Sequence, residues 1–322
     1  MPAGHDVQLY DLGPAVTDFK AEVLAGLACA PRRLACKFFY DERGSRLFDR
    51  ICELDEYYPT RTELSIMRRH APQMAGLLGP ECLLIEFGSG SSLKTRLLLD
   101  HLRQPAGYVP VDISRGHLLR AARALAAAYP DVRIMPVCAD YTYPLRLPPA
   151  AVGVERKIVY FPGSTIGNFA PEEARVFLLR ARELTGAAGG LLIGVDLKKD
   201  PRILHAAYND SAGVTAEFNL NLLARINREL AGDFDLERFA HYAFYHPSSG
   251  RIEMHLVSLA DQMVRVAGET FSFNRGESIF TESSWKYTVE EFRRLAAQAG
   301  YRLQQVWTDE ERLFSVQFFV SS

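Results

Sequence analysis

Nothing in this 322-residue chain approaches the roughly 18–20 consecutive apolar residues that a membrane-spanning helix needs. Its longest apolar stretches, around Leu97 and in GGLLIGV around Leu191, are sized for a protein core. Cysteine is scarce. Cys29, Cys36, Cys52, Cys82 and Cys138 are odd in number, widely spaced and never C-x-x-C, which argues against a disulfide framework and a zinc site. The eight histidines form no H-x-x-x-H pair with an adjacent acid, so no metal centre is expected. Neither sign of charge dominates: 37 Lys plus Arg face 39 Asp plus Glu, for a net −2. That balance excludes a broad basic footprint for nucleic acid. The opening MPAGHDVQLYDLGP lacks a basic start and an apolar core, so no secretory signal is expected. With 48% hydrophobic and 24% charged residues, the composition is that of a soluble, reduced, cytoplasmic enzyme of one large or two ordinary domains.

What is present is a rhythm. A helical pattern at Val16–Leu27 precedes an aromatic-rich stretch, and a helix is expected from Glu63 to the breaker pair Gly79–Pro80. Strands are then expected at 82–88, 107–114, 132–140, 157–164 and 189–197. Helices at Leu93–Leu102, His117–Tyr129 and Glu172–Leu184 alternate with them. Such β-α-β-α alternation builds a parallel sheet with helices on both faces. After Asp200 the rhythm changes. A helical region over 201–230 is interrupted near Gly213, and 240–259 reads as a hairpin turning at Pro247–Gly250. MVRVAGETFSF reads as further strand. A helix over Glu290–Ala299 and two closing strands return to the sheet. The expected division is 60–198 with 287–322 for the sheet domain, and 1–59 with 199–286 for a second, smaller domain.

The chemistry gathers where strands end. IEFGSGSSLKT supplies Gly88 and Gly90 immediately after the first strand, as a turn that lets a cofactor approach the backbone would require. A dinucleotide fingerprint wants a third glycine where Leu93 stands, so diphosphate binding and an oxidoreductase are disfavoured. A lone G-x-G is equally a plain tight turn. Asp112 ends the second strand, placed to accept from ribose hydroxyls, and Asp140 ends the third, placed to read an adenine edge. Glu86 ends the first. Each acid alone reads as a cap or a solvated turn. Three at successive strand ends beside G-x-G fit recognition of an adenosyl group without a diphosphate, as in S-adenosylmethionine-dependent methyltransferases. Lys94 is placed either to reach the cofactor's carboxylate or to sit as an ordinary solvated lysine. Asn168 in FPGSTIGNF offers a donor and an acceptor, or is a turn residue before Pro171. RTELSIMRRH reads as a helix with a basic face.

From about Ala30 onward the chain resembles the histidine-specific Nα-methyltransferases of ergothioneine biosynthesis. The resemblance rests on KFFYDERGSRLFDRI, EYYPTRTE, EFGSGSSLKT, PGSTIGNF, AYNDSAGVTAEFNLNLLARINRELAGDFD, RIEMHL and TESSWKY. It implies an α/β fold: a Rossmann-like class I methyltransferase sheet with a smaller α+β substrate-binding domain. It also implies S-adenosyl-L-methionine as cofactor, S-adenosyl-L-homocysteine as product, and L-histidine with its mono- and dimethyl forms as acceptors. No nucleic acid, membrane or second copy is expected. By the same resemblance Asn168 and Tyr208 hold the substrate carboxylate, and Tyr57, Glu282 and Ser284 address the imidazole beside Met254. Tyr40 and Phe48 surround the methylated amine. Cofactor contacts fall on Tyr40, Glu86, Gly88, Gly90, Lys94, Asp112, Asp140 and Tyr141, the last standing where the family is expected to carry phenylalanine. Tyr40 or Tyr57 is the candidate to relay the amine proton. Phe87 and Pro162 also differ from the family pattern and leave its motifs readable.

Two alternatives stand beside this reading. One is a methyltransferase for another amino acid, such as tryptophan or tyrosine; Met254 and Glu282 speak against it. The other is a non-catalytic adenosyl-binding partner protein, against which the intact G-x-G turn speaks.

Overall fold

The structure, a computed structural model, describes residues 7–12, 19–90 and 93–322. In chain order its elements begin β1 (Tyr10–Asp11), α1 (Phe19–Ala28), β2 (Arg32–Arg33), α2 (Glu42–Glu53), α3 (Tyr58–Leu78), β3 (Leu83–Phe87), α4 (Leu93–Leu99) and β4 (Gly107–Asp112). They continue with α5 (Arg115–Ala128), β5 (Val137–Cys138), α6 (Pro149–Val152), β6 (Lys157–Phe161), α7 (Pro171–Thr185), β7 (Gly190–Asp196), α8 (Pro201–Tyr208) and α9 (Val214–Leu230). The last are β8 (Phe239–His246), β9 (Arg251–Ser258), β10 (Gln262–Val266), β11 (Glu269–Phe273), β12 (Ser278–Trp285), α10 (Val289–Gln298), β13 (Tyr301–Thr308) and β14 (Phe314–Ser321). The chain divides into two compact units. Met1–Ala15, Arg61–Leu197 and Tyr287–Ser322 form the first; Val16–Thr60 and Lys198–Lys286 form the second.

The first unit is built on one sheet, ordered β1-β5-β4-β3-β6-β7-β14-β13. The strands from β1 to β7 run parallel, β14 pairs antiparallel with β7, and β13 pairs antiparallel with β14. β3 and β7 are buried along their whole length, as parallel strands covered on both faces must be. From β3 the chain steps outward through β4 and β5, then returns to lay β6 on the opposite side of β3. Strand order thus reverses between β3 and β6. In open α/β sheets ligands bind outside the carboxyl ends of the strands at such a reversal. α10 enters through a capping box. Thr288 Oγ1 accepts from the Glu291 amide at 3.1 Å, and Glu291 Oε2 accepts from the Thr288 amide at 2.7 Å.

The second unit holds a four-stranded sheet, β2-β12-β9-β8, and a separate hairpin of β10 and β11. Its register places Glu282 of β12 directly opposite Met254 of β9, just past a bulge after Phe280. Asp210 separates α8 from α9 by accepting from the amides of Val214 and Thr215, both at 2.8 Å, and Gly213 takes a positive φ of 71°.

Several expectations are corrected. Tyr10–Asp11 pairs with β5 in the first unit, although the sequence pattern assigned all of residues 1–59 to the other domain. α3 begins at Tyr58 rather than Glu63, because Pro59 in its first turn is preset for a helix and needs no amide partner there. The strand expected over 132–140 shrinks to Val137–Cys138 with one isolated bridge at Ile134, since Pro110 on β4 has no amide to offer the facing segment. α4 ends three residues early, at Leu99. MVRVAGETFSF is a hairpin rather than a single strand, turning at Ala267 and Gly268, both of positive φ. The helical pattern from Val16 is seen from Phe19; Val16, Thr17 and Asp18 lie outside the described residues.

Candidate active site

In the first unit the reversal point is framed by two turns. After β3, Gly88 (φ 70°) and Gly90 (φ 44°) occupy conformations that a side chain resists. The Gly88 amide donates to Val111 of β4 at 2.9 Å, tying the turn to the next strand end. Among the described residues, a Cβ built on Gly90 would meet nothing nearer than the Gly88 carbonyl at 3.9 Å. At the end of β4, Asp112 Oδ1 accepts from the Ser114 amide at 2.8 Å. Burial raises the Asp112 pKa, opposed by that bond and by backbone bonds from Gly90 and Ile113. Asp140 Oδ1 accepts from the Thr142 amide and hydroxyl at 2.9 and 2.5 Å. The Tyr141 ring stacks on Phe87, centroids 5.4 Å apart.

Two sequence-predicted cofactor residues behave differently. The Lys94 ammonium pairs with Glu63, a carboxylate of α3 that is 0% exposed, rather than reaching outward. Glu63 also accepts from the Gly163 amide at 2.9 Å, so it ties the turn after β3 to the turn after β6. A Cβ on Gly194 would lie 2.2 Å from Glu63 Oε1, which explains a glycine inside β7. Glu86 points into the sheet's interior, accepting from Thr95 Oγ1 at 2.5 Å and from the Tyr108 hydroxyl. Burial pushes its pKa up to about 7 despite those bonds. Glu86 is therefore an internal tie, not an acid offered at the crevice. Beyond β6, Ser164 Oγ accepts from the Asp196 amide at 2.9 Å and holds the PGSTIGN turn. Asn168 ends that turn half-buried, with no side-chain hydrogen bond among the described residues.

The second unit gathers the remaining candidates around an aromatic chain. Ring centroids lie 5.7 Å apart for Tyr40–Phe48, 6.3 Å for Phe48–Tyr57 and 6.4 Å for Tyr57–Tyr208. Asp41 anchors the first of these, capping α2 through the Gly44 amide at 2.6 Å and pairing with Arg228 at 2.7 Å. His241 fixes the backbone of Tyr208. Its Nε2 donates to the Tyr208 carbonyl at 2.8 Å while its Nδ1 accepts from Asn219 at 2.9 Å, the pattern of a neutral ring, and burial lowers its pKa. The Tyr208 hydroxyl donates to Ser284 Oγ at 2.8 Å. Lys286, only 2% exposed, donates to Ser284 Oγ at 2.8 Å and to the Tyr208 hydroxyl at 3.1 Å.

Electrostatics separates the acids from the phenols. Burial raises the Glu282 carboxyl to a pKa of about 7, with Lys286 pulling the other way. Burial holds the Tyr57 phenol far above its ordinary pKa, and nearby Tyr208, Cys52, Tyr40 and Glu282 add to the effect. Tyr57 thus stays protonated at neutral pH and does not act as a phenolate base. Sequence reasoning missed Lys286 and Glu63. Lys286 stands two residues beyond Ser284, one past the end of β12, and its ammonium meets Ser284 Oγ. Glu63 was hidden in a helix read only for its basic face. Among the described residues no cluster of His, Cys, Asp and Glu could hold a metal ion.

A parallel sheet closed by an antiparallel strand, with a glycine turn and strand-end acids at its reversal point, defines a Rossmann-like, S-adenosylmethionine-dependent methyltransferase of class I. The family model described as "Histidine-specific methyltransferase, SAM-dependent" matches residues 19–321, and the chain belongs to that family. It is 43% identical to the histidine N-alpha-methyltransferase of Mycolicibacterium smegmatis, over 92% of each chain. It is 40% identical to the histidine N-alpha-methyltransferase of Mycobacterium tuberculosis, over 90% of this chain and 91% of that one. Ergothioneine biosynthesis protein 1 of Neurospora crassa is 34% identical over 86% of this chain, which spans about a third (32%) of that longer protein.

Proposed function

We propose that this protein transfers methyl groups from S-adenosyl-L-methionine to the α-amine of L-histidine, three times, giving Nα,Nα,Nα-trimethylhistidine (hercynine) for ergothioneine biosynthesis. The observation that carries the reading is the match at 43% identity over nearly the full length of a histidine N-alpha-methyltransferase. The second unit supports it: a carboxylate, a hydroxyl and an apolar wall gather at Glu282, Ser284 and Met254. Acting as a monomer in the cytoplasm, with no nucleic acid or membrane partner, belongs to the same proposal.

The cofactor, when bound, supplies an electrophilic methyl on a sulfonium. Gly88 and Gly90 let it approach the backbone, Asp112 accepts from its ribose hydroxyls, and Asp140 with Tyr141 faces its adenine. Asn168 and Tyr208 hold the substrate carboxylate. Glu282 accepts the imidazole N–H, and Ser284 meets the other side of the ring. The α-amine attacks in its neutral form, and positioning supplies most of the rate. Tyr40 and Phe48 offer aromatic faces to the amine as it becomes quaternary, about 0.5–2 kcal/mol in such contacts. Tyr40 or Tyr57, the latter held as a phenol, relays to water the proton that the amine loses between rounds.

The test is purified protein with S-adenosylmethionine and each of the twenty amino acids, plus histamine, read by mass spectrometry. Histidine alone should gain three methyl groups. Histamine keeps the ring and amine but lacks the carboxylate, so it should be a very poor acceptor. Tryptophan or tyrosine as the preferred acceptor would overturn the reading.

A further inference from the structure

Lysine is among the residues least often fully buried, and Lys286 is buried. Its ammonium is a donor only, with three N–H groups and no lone pair. Two of those groups are aimed at hydroxyl oxygens, Ser284 Oγ at 2.8 Å and the Tyr208 hydroxyl at 3.1 Å. The ammonium also sits 5.0 Å from the centre of the Tyr208 ring, so it lies close beside the hydroxyl end of that ring. A hydroxyl that accepts from an ammonium must direct its own proton elsewhere. In this structure Tyr208 turns its proton to Ser284, and Ser284 then accepts from both Tyr208 and Lys286. With both lone pairs of Ser284 engaged, its proton is the one hydrogen-bonding group it has left to offer.

We infer that Lys286 is the positioning residue of the acceptor site, forcing Tyr208 and Ser284 to present themselves to the ligand as hydrogen-bond donors. The inference rests on the proposed function and deepens it. When a carboxylate arrives, the Tyr208 proton turns to it, and Lys286 keeps that phenolic oxygen from acting as an acceptor. Ser284 then offers a donor beside Glu282, an acceptor two residues away on the same strand face. Together they read a ring that donates at one nitrogen and accepts at the other, which is a neutral imidazole. Indole has the donor but lacks the acceptor nitrogen, and a phenyl ring lacks both.

Lys286 has a second effect through its charge. The groups that act on Glu282 are Lys286, one residue past the end of its strand, and Tyr57 before α3, with Tyr208, Tyr40 and Cys52 close to Tyr57; the paired position on β9 is the uncharged Met254. Lys286 is the one cation among them, and it favours the ionised carboxylate. Removing it should raise the Glu282 pKa and move the acidic limb of kcat/KM for histidine to higher pH.

The experiment compares wild type with Lys286→Met, which keeps the length and loses both donors and charge, and Lys286→Gln, which keeps donors and loses charge. Histidine binding is measured by calorimetry with S-adenosylhomocysteine present, alongside KM, kcat and the pH profile. Lys286→Met should raise the histidine Kd and KM at least tenfold and leave S-adenosylhomocysteine affinity within twofold. Lys286→Gln should recover part of the binding but keep the displaced acidic limb. Should Lys286→Met fail to fold, the displaced limb in Lys286→Gln decides. Wild type that binds no histidine overturns the functional reading and this inference with it. Wild type that binds histidine, with folded variants unchanged in Kd and pH profile, overturns the inference alone. So does equal loss of cofactor and histidine affinity, the sign of a merely structural role.

Discussion

Lys94→Met separates two roles for one lysine. If the turn is a cofactor clamp, the substitution should weaken S-adenosylmethionine binding and leave the fold intact. The structure instead pairs Lys94 with Glu63, which is 0% exposed and also accepts from the Gly163 amide at 2.9 and 3.1 Å. Methionine fills similar space without the charge, so Glu63 is left as a buried carboxylate that has lost its cation. Breaking one side of a buried ion pair is destabilising by about 3–5 kcal/mol, because the remaining charge stays desolvated. The pair itself, replaced on both sides by apolar residues, is often near neutral. The double variant Lys94→Met, Glu63→Met should therefore regain most of the loss, a coupling well outside the few tenths expected of independent sites. Urea unfolding followed by circular dichroism gives stability, and calorimetry with S-adenosylhomocysteine gives affinity. A Lys94→Met protein as stable as wild type but weakened for the cofactor would refute the argument and return Lys94 to the cofactor.

Three further outcomes are expected. Glu282→Ala should lower kcat/KM for histidine by about 1.5–3 kcal/mol of transition-state binding and narrow its advantage over tryptophan, read by steady-state kinetics on both acceptors. Asp112→Ala should weaken cofactor binding by about 1.5–3 kcal/mol in calorimetry, the scale of a hydrogen bond to a charged group. For Glu86, the folded pKa of about 7 lies above its ordinary 4.5, so the folded state holds the proton more tightly than the unfolded chain does. Stability contributed by that proton is full below pH 4.5 and is lost as pH rises through 7, amounting to about 3 kcal/mol. Glu86→Gln should flatten this slope in unfolding midpoints measured from pH 4.5 to 7.5, and an unchanged slope would contradict it.

The sheet was legible because burial writes a simple pattern. β3, β4, β6 and β7 are apolar runs flanked by helices of ordinary period, and each was placed within one to three residues. β5 was misjudged because a proline's missing amide matters only where two strands must meet, and Pro110 stands on β4, outside the segment whose length it limits. The division of the N-terminal region failed for a related reason: nothing local in Tyr10 and Asp11 announces a partner more than a hundred residues away. In the site, strand-end acids were visible as residues but not as directions. Asp112 and Glu86 look alike in sequence, yet one turns to the next loop's amide and the other inward to Thr95 and Tyr108. Lys286 stands one residue past the strand that carries Glu282 and Ser284, where no alternation marks a lysine as buried.

The way the chain leaves and rejoins the first sheet has a consequence for how such a protein can arise. Leu197, where β7 runs out, forms a bridge with Tyr287, and the Tyr287 amide donates to Asp196 at 3.2 Å. The roughly ninety residues of Lys198–Lys286 therefore depart from and return to hydrogen-bonded neighbours. Closing so long a loop in place of a tight turn adds only ~2–3 kcal/mol of chain entropy, since the penalty grows with the logarithm of length. The sheet can thus accept exchange of the Lys198–Lys286 segment at this doorway while its own strands keep their pairing, although Val16–Thr60, the other part of the second unit, enters the chain ahead of the sheet and is not carried with it.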